Sequence, residues 1–256
     1  MILADTHTHL YLEQFDEDRD KVVQDALDAG VKYMLLPNID RDSIPAMLSL
    51  ADSYPDSCIP MMGLHPTSVK DDHQSQLELI EAWISKRNFI AVGEIGIDLY
   101  WDKTYQEEQE NAFRQQIGIA KQHDLPIVIH SRNSFREIVD ILNDEKHDRL
   151  RGVFHCFSGS LEEAREAVDL GFMLGIGGVL TYKKSGLDIV LEKIDLRHII
   201  LETDSPFLPP VPHRGKRNES AWVTLVAQKL ALIKGVSVGT VAEVTTQNAK
   251  ELFELI

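Results

Sequence analysis

Short apolar runs rich in β-branched and aromatic residues recur along the chain. Between them lie longer stretches in which apolar residues return every three or four positions. The runs that read as strands are residues 2–9, 33–39, 58–66, 89–98, 126–132, 151–157, 172–180 and 199–207. Their nearly continuous apolar character suits parallel strands buried on both faces. Among the intervening stretches, 18–30 and 105–123 have helical periodicity; in the second, Ala112, Ile119 and Ala120 share a face with Phe113 and Gln116 nearby. Gly30 follows the first of these helices as a stop signal, and two further helices, 219–235 and 237–255, finish the chain. Strand-then-helix repeated eight times within 256 residues predicts a (β/α)8 TIM barrel with an extra C-terminal helix, as a single domain over residues 1–256. An open doubly wound sheet would place a glycine-rich phosphate turn after the first strand, and THTHLY at 6–11 is not one.

Composition narrows the setting. Apolar residues make up 43% and charged residues 26%, enough for a sizeable core. Cys58 and Cys156 are the only cysteines, which fits a reducing compartment rather than a disulfide framework. The N-terminus shows no basic flank ahead of an apolar run, and the most apolar stretch, 171–180, is too short to span a bilayer. The expectation is a cytoplasmic monomer with no membrane partner. The formal charge of −15 argues against a broad electrostatic grip on long nucleic acid.

Chemistry collects where the strands end. In such a barrel functional side chains come from the C-terminal strand ends. Read in order, these ends supply His7 and His9, His65, Glu94, His130 with Arg132, His155, and Asp204. Side chains at i and i+2 of a strand share a face about 6.5 Å apart, so His7 and His9 can reach one ion. Imidazole and carboxylate donors leave Zn, Mn, Mg, Fe and Ni open. A carboxylate such as Glu94 can bridge two divalent ions, with His7, His9 and Asp204 completing one shell and His130 and His155 the other. The bland reading makes Glu94 and Asp204 buried ion-pair members, but few lysines lie near strand ends to pair with them. Cys156 is expected to face away and pack, and His73, His123, His147 and His198 to be solvated. The loop 204–220 carries four prolines and then Arg214, Lys216 and Arg217, with His213 beside them. With Arg132 these form an expected positive patch on an acidic protein, and arginine binds phosphate as a fork. His65, Arg132 and Arg214 are the candidate substrate contacts.

Taken together, these segments resemble the TatD family of metal-dependent deoxyribonucleases over nearly the whole chain. DTHTHL (5–10), GEIGIDLYWD (93–102), LPIVIHSR (125–132), GVFHCFSGS (152–160) and ETDSPFLPPVPHRGKRNE (202–219) look like the family's signatures in order. The resemblance implies a barrel with two metal sites, His7, His9, Glu94 and Asp204 around one ion, and Glu94, His130 and His155 around the other. It also implies phosphodiester hydrolysis, with trimming of DNA from the 3′ end. Two positions depart from the family pattern: Thr67, where many members have a histidine, and Ser220, where many have proline. The expected partner is therefore a DNA end or short single strand, with Glu94 and Asp204 as catalytic groups. The rivals are a barrel metallohydrolase acting on an amide or on the ester of a charged tRNA, and a metal-binding quality-control partner without turnover. Glu94 stands where the amide enzymes often carry a modified lysine, and the arginines suit phosphate.

Overall fold

A computed structural model describes residues 1–256. Eight parallel strands alternate with helices: β1 (Leu3–Asp5), β2 (Val31–Leu36), β3 (Cys58–Pro60), β4 (Val92–Asp98), β5 (Ile127–Arg132), β6 (Gly152–Phe154), β7 (Phe172–Ile176) and β8 (Ile199–Leu201). The helices that follow them in turn are α1 (Arg19–Asp28), α2 (Ile44–Ser53), α3 (His73–Ile84), α4 (Gln106–His123), α5 (Phe135–Asp144), α6 (Leu161–Asp169), α7 (Leu187–Glu192) and α8 (Val223–Lys234), and α9 (Val238–Phe253) is the extra C-terminal helix. Regular ladders join β1 to β3 and β4 to β8. Single parallel bridges close the ring, Met62 with Val92 between β3 and β4, and Thr8 with Ser205 beyond β1 and β8. Thr6 N also donates to Leu201 O at 3.0 Å.

Strand alternation sorts the apolar side chains into two clusters. Leu3, Met34, Leu36, Ile127, Ile129, Phe154, Ile199 and Leu201 pack outward with the helices. Ala4, Tyr33, Leu35, Met61, Ala91, Val128, Val153 and Ile200 fill the barrel interior, and Leu252, Phe253 and Leu255 join them. The end of α9 thus plugs the N-terminal mouth, where the Tyr33 hydroxyl donates to Ile256 O at 2.5 Å. The opposite mouth is left to polar side chains.

Local chemistry places the helix ends. Ser160 and Glu163 form a capping box at the start of α6, and Ser237 accepts from Thr240 N at the start of α9. Gly235 ends α8 in the left-handed region, as helix C-termini favour. No single helix is long and apolar enough to cross a membrane.

Candidate metal centre

The strands end earlier than their apolar runs. β1 stops at Asp5, so His7 and His9 lie in a bend beyond it, stitched to the segment after β8 by His9 N to Ser205 O at 2.7 Å and Asp204 N to His7 O at 2.9 Å. His155 and Asp204 likewise follow the regular ends of β6 and β8. Asp204 takes a left-handed backbone (φ 57°), which aspartate tolerates better than most residues. Glu94 reaches the interior by a change of parity. Ala91 points in and Val92 out, yet Ile95 and Ile97 also point out, and the β4–β5 register shifts between Val92 and Ile95. Without that irregularity Glu94 would face the helices.

Buried Glu94 is the hub. Its Oε2 lies 3.0 Å from His7 Nε2 and 3.6 Å from His9 Nε2. Its Oε1 lies 2.8 Å from His130 Nδ1, 3.0 Å from His155 Nε2 and 3.2 Å from His65 Nε2. Asp204 Oδ1 closes the first group at 3.7 Å from His7 Nε2 and 3.6 Å from His9 Nε2. The rings of His7 and His155 stack with centroids 3.8 Å apart, so the two groups share a wall.

Hydrogen bonding assigns protons. The single Tyr11 hydroxyl proton goes to Pro37 O at 2.6 Å, so His9 Nδ1 must donate to that hydroxyl at 2.9 Å. The lone pair of His9 is then on Nε2, toward Glu94 and Asp204. His65 is the reverse case: Nδ1 accepts from Thr67 N at 3.1 Å and faces its hydroxyl at 2.7 Å, leaving the proton on Nε2. His65, Glu94 and His130 lie close enough together to hold an ion, but the proton on Nε2 makes His65 a donor rather than a ligand.

The set fits a divalent cation. Burial lowers the pKa of His7 and, further, of His9, with neighbouring imidazoles acting in the same direction, so both rings are neutral lone-pair donors. Burial also opposes charge on Glu94, but His155, His65 and His7 outweigh it and hold its carboxyl well below the usual range. Burial pushes Asp204 up to about 8, and the Glu94 charge adds to that against the pull of His155. Glu94 and Asp204 bring carboxyl oxygens within 4 Å of two neutral imidazoles, and a divalent cation among them would favour the ionised form of Asp204 that its surroundings otherwise oppose. Groups of His7, His9 and Glu94, and of His7, His155 and Asp204, have ligand atoms converging at metal-binding spacing.

The site opens into a cleft of about 670 Å³ whose walls include His9, Glu94, Trp101, Arg132, Asp204 and Phe207. Arg132 is there as expected, its guanidinium 4.1 Å over the Tyr100 ring. Arg214 is not among the cleft-lining residues; it lies 4.2 Å over Tyr182. Arg217 turns away to Asp18 at 2.7 and 2.8 Å, so the expected patch is dispersed. His213 stacks on Trp222 at 3.9 Å, and Cys156, expected to face away, lines the cleft in a left-handed turn. His147 is exposed as expected, but His73, His123 and His198 are only half-exposed, and His123 Nε2 is buried.

Comparison with known proteins places this geometry. The profile described as "TatD related DNase" matches residues 4–254. The chain belongs to the TatD family. It is 38% identical over 256 residues to the Bacillus subtilis protein named uncharacterized metal-dependent hydrolase YabD, covering 99% of this chain and 100% of that one. It is 33% identical over 261 residues to the Salmonella typhimurium protein named 3′-5′ ssDNA/RNA exonuclease TatD, covering 99% and 100%. The crystal structure of the Escherichia coli K12 TatD homolog YjjV superimposes with a TM-score of 0.93 at 31% identity, covering 99% of this chain and 98% of that one. The protein is accordingly a metal-dependent hydrolase of TatD type.

Three residues of this TatD-type site escaped the sequence reading. Glu202 lies 3.3 Å from His155 Nδ1 and accepts from Cys156 N at 2.6 Å. A Cβ on Gly175 would collide with the Glu202 carboxylate, so glycine there makes its room. Asp98 Oδ2 lies 2.8 Å from His130 Nε2. Tyr11 orients His9. Tyr11 and Glu202 lie two residues from His9 and Asp204, and Asp98 four from Glu94 at the end of the same strand; only the fold shows that they point back at an imidazole.

Proposed function

We propose that this TatD-family hydrolase cleaves phosphodiester bonds at the ends of single-stranded DNA, trimming from the 3′ end, and holds two divalent ions per chain. The observation that carries the reading is the division of Glu94: one oxygen serves the His7 and His9 side, the other the His130 and His155 side. His7, His9, Glu94 and Asp204 would hold one ion, and Glu94, His130 and His155 the other. Such ions supply Lewis acidity, charge neutralisation and a water acidified toward neutral pH.

The chain's own groups do the rest. The His65 Nε2 proton faces Glu94 Oε1 at 3.2 Å on the cleft wall, where a phosphate oxygen would compete for it. Arg132 neutralises charge building on that phosphate. Asp204, at the cleft wall, accepts the proton released by the attacking water. The name of the Salmonella relative supports a single-stranded substrate and a 3′ to 5′ direction.

The test strips the protein of metal, reloads it ion by ion, and assays 5′-labelled single-stranded DNA, RNA and a panel of amides. Two equivalents of metal per chain and a ladder shortening from the 3′ end are expected. Saturation at one equivalent, or amide turnover with intact strands, would overturn the reading.

A further inference from the structure

Trp101 is 68% exposed and Tyr100 54% exposed, immediately beside a buried polar site. Large aromatic rings left in water at a cleft mouth are not explained by folding. The two rings meet edge to face, with centroids 4.9 Å apart and planes at 86°. Arg132 covers Tyr100 at 4.1 Å and sits 5.2 Å from Trp101. Tyr100 therefore braces the arginine, while Trp101 presents its ring to the cleft that it lines together with Arg132, Glu94 and Asp204.

The turn that displays these rings is tied to the site. Asp98 Oδ1 accepts from Tyr100 N at 2.9 Å and Trp101 N at 3.2 Å, while Oδ2 lies 2.8 Å from His130 Nε2. One carboxylate thus fixes the aromatic turn relative to the candidate ligand His130. The position of Trp101 is set by the same group that orients the imidazole, not by a loose loop.

We propose that Trp101 is a stacking platform for an unpaired base of the nucleotide at the strand end, with Arg132 on the adjoining phosphate. This rests on the phosphodiesterase reading and adds what selects single strands. An aromatic face binds any base through its π-face, whereas a base inside a duplex has both faces covered. Charge makes the platform useful. A chain of net charge −15 repels a polyanion, so base stacking carries binding that basic residues supply elsewhere. A guanidinium flanked by a ring matches one phosphate and one base, the repeating unit of a strand.

The experiment uses metal-loaded protein and two strands of equal length, oligothymidylate and one with abasic residues at its 3′ end. Tryptophan fluorescence is followed in wild type, Trp101→Phe and Trp101→Ala, alongside kcat and KM. Trp101 is exposed, so neither variant threatens the fold. Oligothymidylate should quench the wild type and the abasic strand should not; the Trp101 part of the signal disappears in both variants. In Trp101→Ala the kcat/KM preference for thymidylate over abasic ends should fall about tenfold or more, mostly through KM, with Trp101→Phe restoring much of it. Equal preference in wild type and Trp101→Ala would overturn the platform. If wild type cleaves neither strand, the nuclease reading fails, and the fluorescence arm alone decides the platform: quenching by thymidylate supports it and none overturns it.

Discussion

The proposed ligand His9 depends on the group behind it, and Tyr11 is that group at the scale of one atom. Its hydroxyl accepts a hydrogen bond from His9 Nδ1–H at 2.9 Å and donates its own to Pro37 O at 2.6 Å. Tyr11→Phe keeps the ring in place and strands two buried polar atoms. It also frees His9 to adopt the other tautomer, with the proton on the metal side. Removal of such an outer partner weakens metal binding by about 10- to 100-fold. The unfolding free energy should drop by about 1–3 kcal/mol from the unsatisfied carbonyl and ring nitrogen. Metal titration by calorimetry measures the first effect and denaturant unfolding of metal-free protein the second. Wild-type metal affinity in Tyr11→Phe would reduce Tyr11 to a packing residue. The bulk of Tyr11 is buried in either case, so the ring alone cannot account for a loss in affinity.

At the scale of elements, a charged fork ties the proline-rich segment after β8 to the start of α1. Arg217 donates to both oxygens of Asp18, just ahead of α1, at 2.7 and 2.8 Å, and to Glu219 at 3.1 Å. The Arg217 hydrogen bond holds the Asp18 carboxyl below its usual range. The folded pKa lies below the unfolded one, so this pairing stabilises above the unfolded value of about 3.9 and fades as pH falls through the folded value. Arg217→Met should lower the melting temperature by about 2–4 °C at neutral pH, the scale of about 1 kcal/mol for a chain of this size. Below about pH 4 the difference from wild type should shrink, which scanning calorimetry across pH checks. A constant difference down to pH 2 would assign the effect to the packing of Arg217 over Phe15 instead. The same element shows what the sequence pattern conveys. The proline run and its position after the last strand were legible, because ring-locked residues and strand order are local properties. The partners of Arg214 and Arg217 were not, because Tyr182 and Asp18 are brought there by the barrel. Strand ends overshot for a related reason. His7, His155 and Asp204 lie in apolar runs yet fall beyond the regular ends of β1, β6 and β8, which periodicity does not mark. Glu94 stands out by its chemistry, and the local mark of the parity change that turns it inward is the pair of glycines around it, Gly93 and Gly96 (φ 139°).

At the scale of the molecule, charge decides how a polyanion is met. Lysines and arginines number 26 against 41 aspartates and glutamates, and most arginines are already paired on the surface. Within the cleft, Arg132 is the one arginine lining the wall, with His65 beside it paired to Glu94. On the proposed nuclease reading, few counterions are therefore displaced when a strand end enters. With about two or three phosphate contacts on a single strand, the slope of log affinity against log salt should be about −1.4 to −2.1. A protein that tracks along the backbone with six or more contacts would show about −4 or steeper. Base stacking on Trp101 adds affinity with almost no salt dependence, so the share of binding that survives at high salt measures it. The experiment is the KM for a short 5′-labelled strand between 50 and 200 mM KCl at fixed metal, in wild type and Trp101→Ala. The slope should be shallow and the same in both, with the variant displaced to weaker binding at every salt concentration. A steep slope in wild type would mean that a basic track exists outside the cleft, and the terminal-nucleotide mode of recognition would fall with it.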